Sequence, residues 1–172
     1  MNLKDLPSFH VGVAAEAFTA ALFARCGYDV SVQYGANQPE YDLIITRGAS
    51  VLKVSVKGSK ERNWGLTQRY LKDADYHAAA ESWFARHGPR TVYALVLFSD
   101  DDPMAMPRVY LATPREIADR LKATAKGKGD TILHEHIVWT NRAHGAGTID
   151  EIPAAWKFSS KRIDELIDLA TV

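Results

Sequence analysis

The chain has 172 residues, enough for one domain with a full core and short for two ordinary domains. Hydrophobic residues make up 47% and charged residues 24%, which excludes a disordered or fibrous protein. Lys+Arg and Asp+Glu both number 21, so the formal net charge of zero does not indicate a polyanionic partner, and any nucleic-acid surface must be a local patch.

The single cysteine and the first residues of the sequence bear on the expected compartment. Cys26 excludes an internal disulfide and suits a reducing cytosol. The start "MNLKDLPSFHVGVAAEAF" lacks a basic segment followed by an unbroken apolar run, and no window approaches the ~18 apolar residues of a membrane span. We therefore expect a cytoplasmic protein with no membrane association.

The first part of the chain predicts a helix followed by three strands. Apolar residues recur at helical spacing over residues 11–26, and Gly27 then supplies a stop. The stretches "YDVSVQYG", "YDLIITRG" and "SVLKVSVKGS" are apolar or alternating, with turn residues between them, so they predict three successive strands.

The second part predicts a helix, a buried strand and an appendix. Residues 66–87 favour one long helix, and "RTVYALVLFS" is typical of a strand in the centre of a sheet. "RVYLA" predicts a short strand, "TPREIADRLKA" a helix capped by Thr113, "TILHEHIVWT" a late strand and "SSKRIDELIDLA" a closing helix. The residues expected in the core are Phe18, Leu22, Leu43, Ile45, Val54, Leu95, Val96 and Phe98.

This order, with "YDLII" on the second strand and "VSVKGS" on the third, resembles the PD-(D/E)XK nuclease superfamily over about residues 1–99. The resemblance implies an α/β fold, restriction-endonuclease-like, with a central mixed β-sheet flanked by helices and an αβββαβ core. We expect a single domain over residues 1–172, in which residues 100–172 form a C-terminal strand-and-helix extension.

The resemblance also implies a metal site. In the family, an Asp at the start of one strand and a Glu two residues before a Lys on the next strand hold a divalent metal; here Asp42 and Lys57 match, and Ser55 stands at the Glu position. Strand alternation places Ser55 and Lys57 on one side of the sheet, where Asp42 can meet them across a hairpin and balance a buried lysine. A serine hydroxyl is a far weaker ligand than a carboxylate, so Ser55 is the main evidence against activity.

Three acids could replace the missing carboxylate. Glu16 lies one turn after Gly12 and resembles the first-helix acid of resolvase-like members, although a partly exposed helix charge is an equal alternative. Glu40 would share a face with Asp42 only if the strand already begins there, and Glu61 is more typical of a solvated loop. We expect Mg²⁺ or Mn²⁺ to be held by Asp42, Glu16 and the backbone carbonyl of Val56.

A small basic patch follows the third strand. Lys60 and Arg62 with Trp64 suit a phosphate backbone and an unstacked base; a solvated loop whose tryptophan packs on the following helix is the alternative. His134 and His136 make a weak zinc signal, because two imidazoles without a third ligand more often mark an exposed strand face.

The sequence favours a metal-dependent nuclease that cleaves phosphodiester bonds, with DNA preferred over RNA as the partner and a two-fold homodimer suited to cutting both strands. The alternative is a catalytically inactive nuclease-fold protein that acts as a nucleic-acid-binding or protein-interaction module, for which Ser55 is the evidence. A small cytosolic immunity or regulatory protein fits the neutral charge but no specific motif.

Overall fold

The computed structural model describes residues 5–33, 40–99, 102–141 and 144–171. They form a mixed α/β structure that divides into two compact units. The sheet unit comprises Met1–Glu61, Pro89–Thr113 and Ala155–Val172, and the two-helix unit comprises Arg62–Gly88 and Pro114–Ala154. No helix in the described ranges is long and apolar enough to cross a membrane.

The elements are numbered along the chain, with short 3-10 turns at Gln68–Tyr70 and Ala154–Trp156 in addition. They are α1 (Ser8–Arg25), β1 (Asp29–Val32), β2 (Leu43–Arg47), β3 (Ser50–Ser59), β4 (Asn63–Gly65), α2 (Tyr76–Phe84), β5 (Thr91–Leu97), β6 (Arg108–Ala112), α3 (Pro114–Ala123), β7 (Ile132–His134), β8 (His136–Val138), β9 (Ile149–Glu151) and α4 (Ser160–Thr171).

The sheet unit contains a five-stranded mixed sheet in the order β1-β2-β3-β5-β6. The three predicted strands are confirmed as an antiparallel β1-β2-β3 meander, in which Leu43 pairs with Val54. Strand β5 runs parallel to β3, and β6 is antiparallel to β5. Every residue of β5 is buried, as its unbroken apolar sequence predicts, but the middle strand of the sheet is β3.

Helices α1 and α4 pack on one face of this sheet. Helix α1 buries a side chain at every fourth position from Val11 to Phe23, which is the spacing of one helical face. It lies very close to β3, because a Cβ on Gly58 would be 2.8 Å from the Val11 carbonyl oxygen and 2.9 Å from the Ala15 Cβ. Ile163 and Leu166 of α4 are buried in the same core. Only a glycine at position 58 permits this helix-to-strand distance.

The predicted core is confirmed for most of its residues, and the others are only partly buried. Five of the expected residues are buried, and three, two on α1 and one directly after β5, are only partly buried. The buried residues are Leu43, Ile45, Val54, Leu95 and Val96; the partly buried ones are Phe18, Leu22 and Phe98.

The predicted long helix over residues 66–87 is wrong in its first part and is confirmed for Tyr76–Phe84. Helix α2 begins only at Tyr76, after Asp73 and Ala74 adopt φ values of 50° and 56°. A right-handed helix cannot continue through two residues in the left-handed region. The helix starts afresh at Asp75, whose side chain accepts a hydrogen bond from the Ala78 N–H at 2.9 Å.

The predicted single strand over residues 131–140 is wrong as well. It is divided at Glu135 into β7, which pairs with β4, and β8, which pairs with β9. The two histidines therefore belong to different sheets. The Nε2 atom of His134 is 3.2 Å from an Asp130 oxygen, and the Nδ1 atom of His136 is 2.8 Å from a Glu151 oxygen.

The two-helix unit is organised around Asp150. Its carboxylate accepts hydrogen bonds from the Arg120 guanidinium at 2.6 Å, the Trp139 indole at 2.6 Å and the Ala125 backbone N–H at 2.9 Å. Burial alone would raise the pKa of Asp150, but these three donors outweigh burial and hold the pKa below its usual value. Asp150 thus joins α3, the loop after it, and the β8-β9 pair.

Candidate active site

The candidate site lies beside the first residue of β2, where β3 extends beyond its partner strand. Strand β2 begins at Leu43, opposite Val54, whereas β3 runs on to Ser59. Asp42 makes two hydrogen bonds to the part of β3 that extends beyond β2. Its N–H donates to the Val54 carbonyl at 2.9 Å, and its carboxylate accepts the Val56 N–H at 2.6 Å. The Asp42 carboxylate therefore lies at the edge of β3, close to the plane of the sheet. We call Val56–Ser59 the open edge of β3.

The carbonyl of Val56 faces the same edge. In a β-strand the N–H and C=O groups of one residue point to the same neighbour, and the Val56 N–H points to Asp42. Three residues on, the Ser59 carbonyl points to the opposite neighbour, where it accepts the Phe98 N–H at 2.8 Å. The expected carbonyl ligand and the Asp42 carboxylate are thus brought together.

Glu16 approaches this edge from α1. It follows the buried Ala15 by about 100° around the helix, which places it on the side of α1 rather than beneath the sheet. Burial raises the pKa of Glu16, the negative charge of Asp42 raises it further, and the positive charge of Lys57 partly lowers it. Glu16 therefore experiences the charges of both residues that sequence spacing assigns to the site.

Lys57 reaches the site from the other face of the sheet. Since Val56 and Gly58 face α1, strand alternation directs Lys57 away from that helix. The expectation of a buried lysine is wrong, because Lys57 is exposed near the end of β3. Lys57 therefore brings a positive charge near Glu16 without the cost of fully burying an ammonium group.

Ser55 occupies the position opposite Asp42 in the continued register, and it is only 3% exposed. No set of three or more His, Cys, Asp and Glu side chains suited to a metal is found in the described part of the chain. Glu40 precedes the start of β2 and is exposed, so the condition for its sharing a face with Asp42 is not met. Glu61 is also exposed, and its N–H donates to the Ser59 hydroxyl at 3.1 Å.

The predicted basic patch is divided between the two units. Lys60 belongs to the sheet unit, where its ammonium donates to the Leu6 carbonyl at 2.8 Å. Arg62 and Trp64 belong to the two-helix unit, and Arg62 is exposed. Trp64 is 3% exposed and lies opposite Leu133 in the β4-β7 pair. The expectation that Trp64 stacks on a base is wrong for this conformation, since its ring is not accessible.

The sequence pattern assigned no role to the two glycines near the site. Gly58 permits the close contact between β3 and α1, and Gly12 lies one turn before Glu16 on the same side of α1. The sequence did contain a signal for them, because a glycine inside a predicted strand or helix often marks a close approach of another part of the chain or of a ligand.

No protein-family model matches the chain, and no curated protein is similar enough to count as a match. What the site can bind is therefore inferred from its geometry alone. It combines two carboxylates, one backbone carbonyl and one exposed ammonium group at the end of a sheet. Hard oxygen donors of this kind suit a divalent cation, and the ammonium group suits an anionic substrate.

Proposed function

We propose that the chain is a metal-dependent nuclease of the restriction-endonuclease-like, PD-(D/E)XK type, which cleaves phosphodiester bonds of nucleic acid. The observation that carries the proposal is the Asp42 carboxylate fixed by the Val56 N–H at the open edge of β3, with Lys57 next along the strand and Glu16 near enough to be affected by both charges. The β1-β2-β3 meander, with β5 parallel to β3, supports the fold assignment. DNA rather than RNA, a cytoplasmic location and a homodimer remain predictions from sequence.

The residues present fit Mg²⁺ or Mn²⁺. Magnesium is usually bound by one or two carboxylates, keeps several waters and takes further oxygens from substrate phosphates. Asp42, Glu16 and the Val56 carbonyl supply such a set, and the Val56 N–H fixes one oxygen of Asp42. Burial raises the pKa of Glu16 and the nearby Asp42 carboxylate raises it further, so a cation beside the two carboxylates would be favourable.

Each protein group has a defined role in phosphodiester hydrolysis. A bound metal supplies Lewis acidity toward the phosphate and lowers the pKa of a coordinated water. Asp42 and Glu16 would hold that ion at the open edge, while the Lys57 ammonium would stabilise negative charge on a phosphate oxygen. Lys57 is exposed and lies on the opposite face of the sheet from α1. It would therefore contact a phosphate at the open edge from the face opposite to Glu16.

The second candidate function is a nuclease-fold protein without activity, which binds nucleic acid or protein. It is favoured by Ser55, because a buried hydroxyl stands where the family has a carboxylate. The loss of this carboxylate weakens metal binding, since each anionic ligand removed lowers the affinity for a hard cation.

Cleavage and metal uptake distinguish the two candidates. Purified protein is incubated with linear, branched and single-stranded DNA and with RNA, with Mg²⁺, Mn²⁺ or a chelator, and Mn²⁺ binding is followed by calorimetry. We expect metal-dependent cleavage that Lys57→Ala reduces by at least ~10²-fold. Lys53→Ala is the matched control, since Lys53 lies on the same strand and face but near the Tyr41 ring, and its activity should stay within ~2-fold of the wild type.

Ser55→Glu then tests how the site is built. If Glu16 replaces the missing acid, the added carboxylate should crowd the edge and leave Mn²⁺ affinity unimproved. If the site is decayed, the same variant should raise Mn²⁺ affinity. A wild-type protein that takes up no metal and cleaves none of these substrates would contradict the nuclease proposal and leave the binding module.

A further inference from the structure

The start of α1 and the segment after β5 expose large apolar side chains. Phe9 is 74% exposed, Val13 50%, Met104 85% and Met106 59%. Phe9 and Val13 lie one turn apart on α1, whereas the other two belong to a turn in which the Asp102 carboxylate accepts the Met104 N–H at 2.9 Å. Single exposed apolar side chains are common on protein surfaces, but a group of four indicates an interaction site.

A cavity of about 190 Å³ joins these two regions of the sheet unit. Its helix side is lined by His10 and Ala14, which directly follow Phe9 and Val13 in the chain. Its opposite side is lined by residues of the 102–107 segment, and further apolar walls are contributed by Val11, Phe18 and Phe98. We call the four exposed side chains together with this cavity the apolar face.

The cavity has the size of an aromatic ring. An apolar cavity of about 150 Å³ inside a protein can bind benzene, so the larger volume found in this chain accommodates a phenyl ring. Phe9 of the same chain does not enter the cavity, because it lies about 140° around α1 from Ala14 and points to solvent. The apolar face therefore carries both a protruding phenyl ring and a cavity of matching size.

The charges of the apolar face favour an uncharged partner. Lys60 and Asp102 contribute one charge of each sign to the cavity lining, and the chain has a formal net charge of zero. A nucleic-acid strand or an anionic lipid surface is attracted by an excess of positive charge, which the described residues of this face do not provide. Two copies of a neutral chain, by contrast, approach each other without net repulsion.

We propose that the apolar face is the interface of a two-fold homodimer, in which the Phe9 ring of each copy enters the cavity of the other. Such an interface uses the same surface of both copies, so every contact occurs twice. Four exposed side chains per copy give a small interface, near the ~1,200 Å² lower end of specific complexes, and we expect a Kd on the order of 10 µM. The proposal does not depend on the nuclease function.

The first test compares the dimer Kd of the wild type with that of Phe9→Ala, measured by sedimentation velocity between ~1 and ~200 µM protein. We expect Phe9→Ala to raise the Kd at least ~20-fold, because each dimer loses two phenyl rings from apolar surroundings. Phe9 is mostly exposed in a single copy, so the circular dichroism spectrum and melting temperature of the dilute variant should match those of the wild type.

Leu169→Ala is the matched control. Leu169 is 57% exposed and belongs to the same unit, so this change also removes a large apolar side chain from the surface. It lies on α4 after Asp164, which pairs with Arg47 beside the first residue of β3, whereas the start of α1 packs near the last residues of that strand. Leu169→Ala should therefore change the Kd less than ~2-fold.

A mixing experiment tests whether Phe9 enters the cavity of the partner. Ala14→Phe adds a ring to the cavity lining, so this variant should dimerise as poorly as Phe9→Ala. In a heterodimer of the two variants, the remaining Phe9 faces an open cavity, and the filled cavity faces an alanine. Because one of the two contacts is retained without a clash, the mixture should associate at least ~4-fold more tightly than either variant alone.

Three results would overturn the proposal. The first is a wild-type protein that remains monomeric at ~200 µM. The second is a dimer whose Kd is unchanged in Phe9→Ala, since the two copies would then associate through another surface. The third is a mixture that associates no more tightly than its two components, because a ring that enters the partner's cavity must restore one contact. Cleavage activity is measured separately and affects none of these outcomes.

Discussion

The chain contains two carboxylate centres whose surroundings are opposite in character. In the two-helix unit, Asp150 accepts three hydrogen bonds, one of them from the guanidinium of Arg120, and its pKa is held below the usual value. In the sheet unit, Glu16 is partly buried near Asp42, and its pKa is raised by burial and by the negative charge of that residue. The charge of Asp150 is balanced by donors of the protein itself, whereas Glu16 and Asp42 together carry more negative charge than Lys57 offsets.

This difference separates a structural carboxylate from a candidate functional one. A carboxylate supplied with donors and a cation stabilises its own unit and has little left to offer a ligand. Two carboxylates kept close together cost stability unless something positive lies between them, and folded chains tolerate such costs chiefly at functional sites. The contrast is open to experiment.

The largest expected effect is the loss of cleavage in Asp42→Asn. The rate should fall at least ~10²-fold, because the amide is a poor ligand for a hard cation. The side-chain oxygen of the asparagine can still accept the Val56 N–H, so the melting temperature should stay close to that of the wild type. Cleavage kinetics and a thermal melt of the same preparation test both statements. A large loss of stability with little loss of activity would assign Asp42 to the structure instead.

Asp150→Asn should show the reverse pattern. The change leaves the Arg120 guanidinium partly buried without its carboxylate, at side-chain exposures of 23% for Arg120 and 14% for Asp150, and should cost about 2 kcal/mol of unfolding free energy. Denaturant midpoints at several pH values measure it.

The pH dependence of Asp150 has a definite sign. Because its pKa is lower in the folded state, its contribution to stability is complete above the usual carboxylate pKa and is lost as the pH falls through the lowered value. The gap between wild type and Asp150→Asn should therefore close on acidification. A gap that is constant with pH would mean that packing, not charge, explains the loss.

Glu16→Gln should stabilise the metal-free protein slightly, by on the order of 0.5 kcal/mol at neutral pH. The folded-state pKa of Glu16 is raised, so its contribution is most favourable below the usual carboxylate pKa and is lost as the pH rises through the raised value. The gain in the variant should thus vanish at acidic pH. Melting curves with and without Mn²⁺ provide the second check, since added metal should stabilise the wild type more than the variant.

The smallest effect is expected at Glu81, a carboxylate with two cations but little burial. Hydrogen bonds from Lys122 and Arg115 lower the pKa of Glu81, yet its side chain is 45% exposed and that of Arg115 is 44% exposed. Water and salt screen such a cluster, so Glu81→Gln should cost well under ~1 kcal/mol and less still at high salt. A cost that is larger and insensitive to salt would show that a cation, without burial, is enough to make a carboxylate structural.

Much of the sheet unit could be predicted from the sequence, because its elements have strong periodicity. Alternation and turn residues gave the β1-β2-β3 meander, and the unbroken apolar run gave the buried β5. The break before α2 could not be predicted, since the left-handed conformation falls on Asp73 and Ala74, and alanine is a strong helix former. A break of this kind depends on tertiary context, which local preference does not contain.

The candidate site was predictable in its membership and less so in its form. The resemblance to the PD-(D/E)XK pattern related Asp42 to Lys57 and suggested Glu16 on α1 as a third member. The open edge follows from β3 having ten residues and β2 only five, a difference fixed by the register between them. The burial of Trp64 and the exposure of Lys57 depend on where each strand ends, and strand ends are poorly specified by sequence.

The composition of the sheet unit from three separated segments has a consequence for its synthesis. The residues of the candidate site are all translated by position 57, but the core beneath α1 includes Ile163 and Leu166, and the buried Arg162 donates to the Leu111 carbonyl at 3.1 Å. A nascent chain that has not yet released α4 from the ribosome exposes the apolar face on which that helix packs. We expect such intermediates to require chaperone protection, and the active arrangement to form only after the last helix has docked.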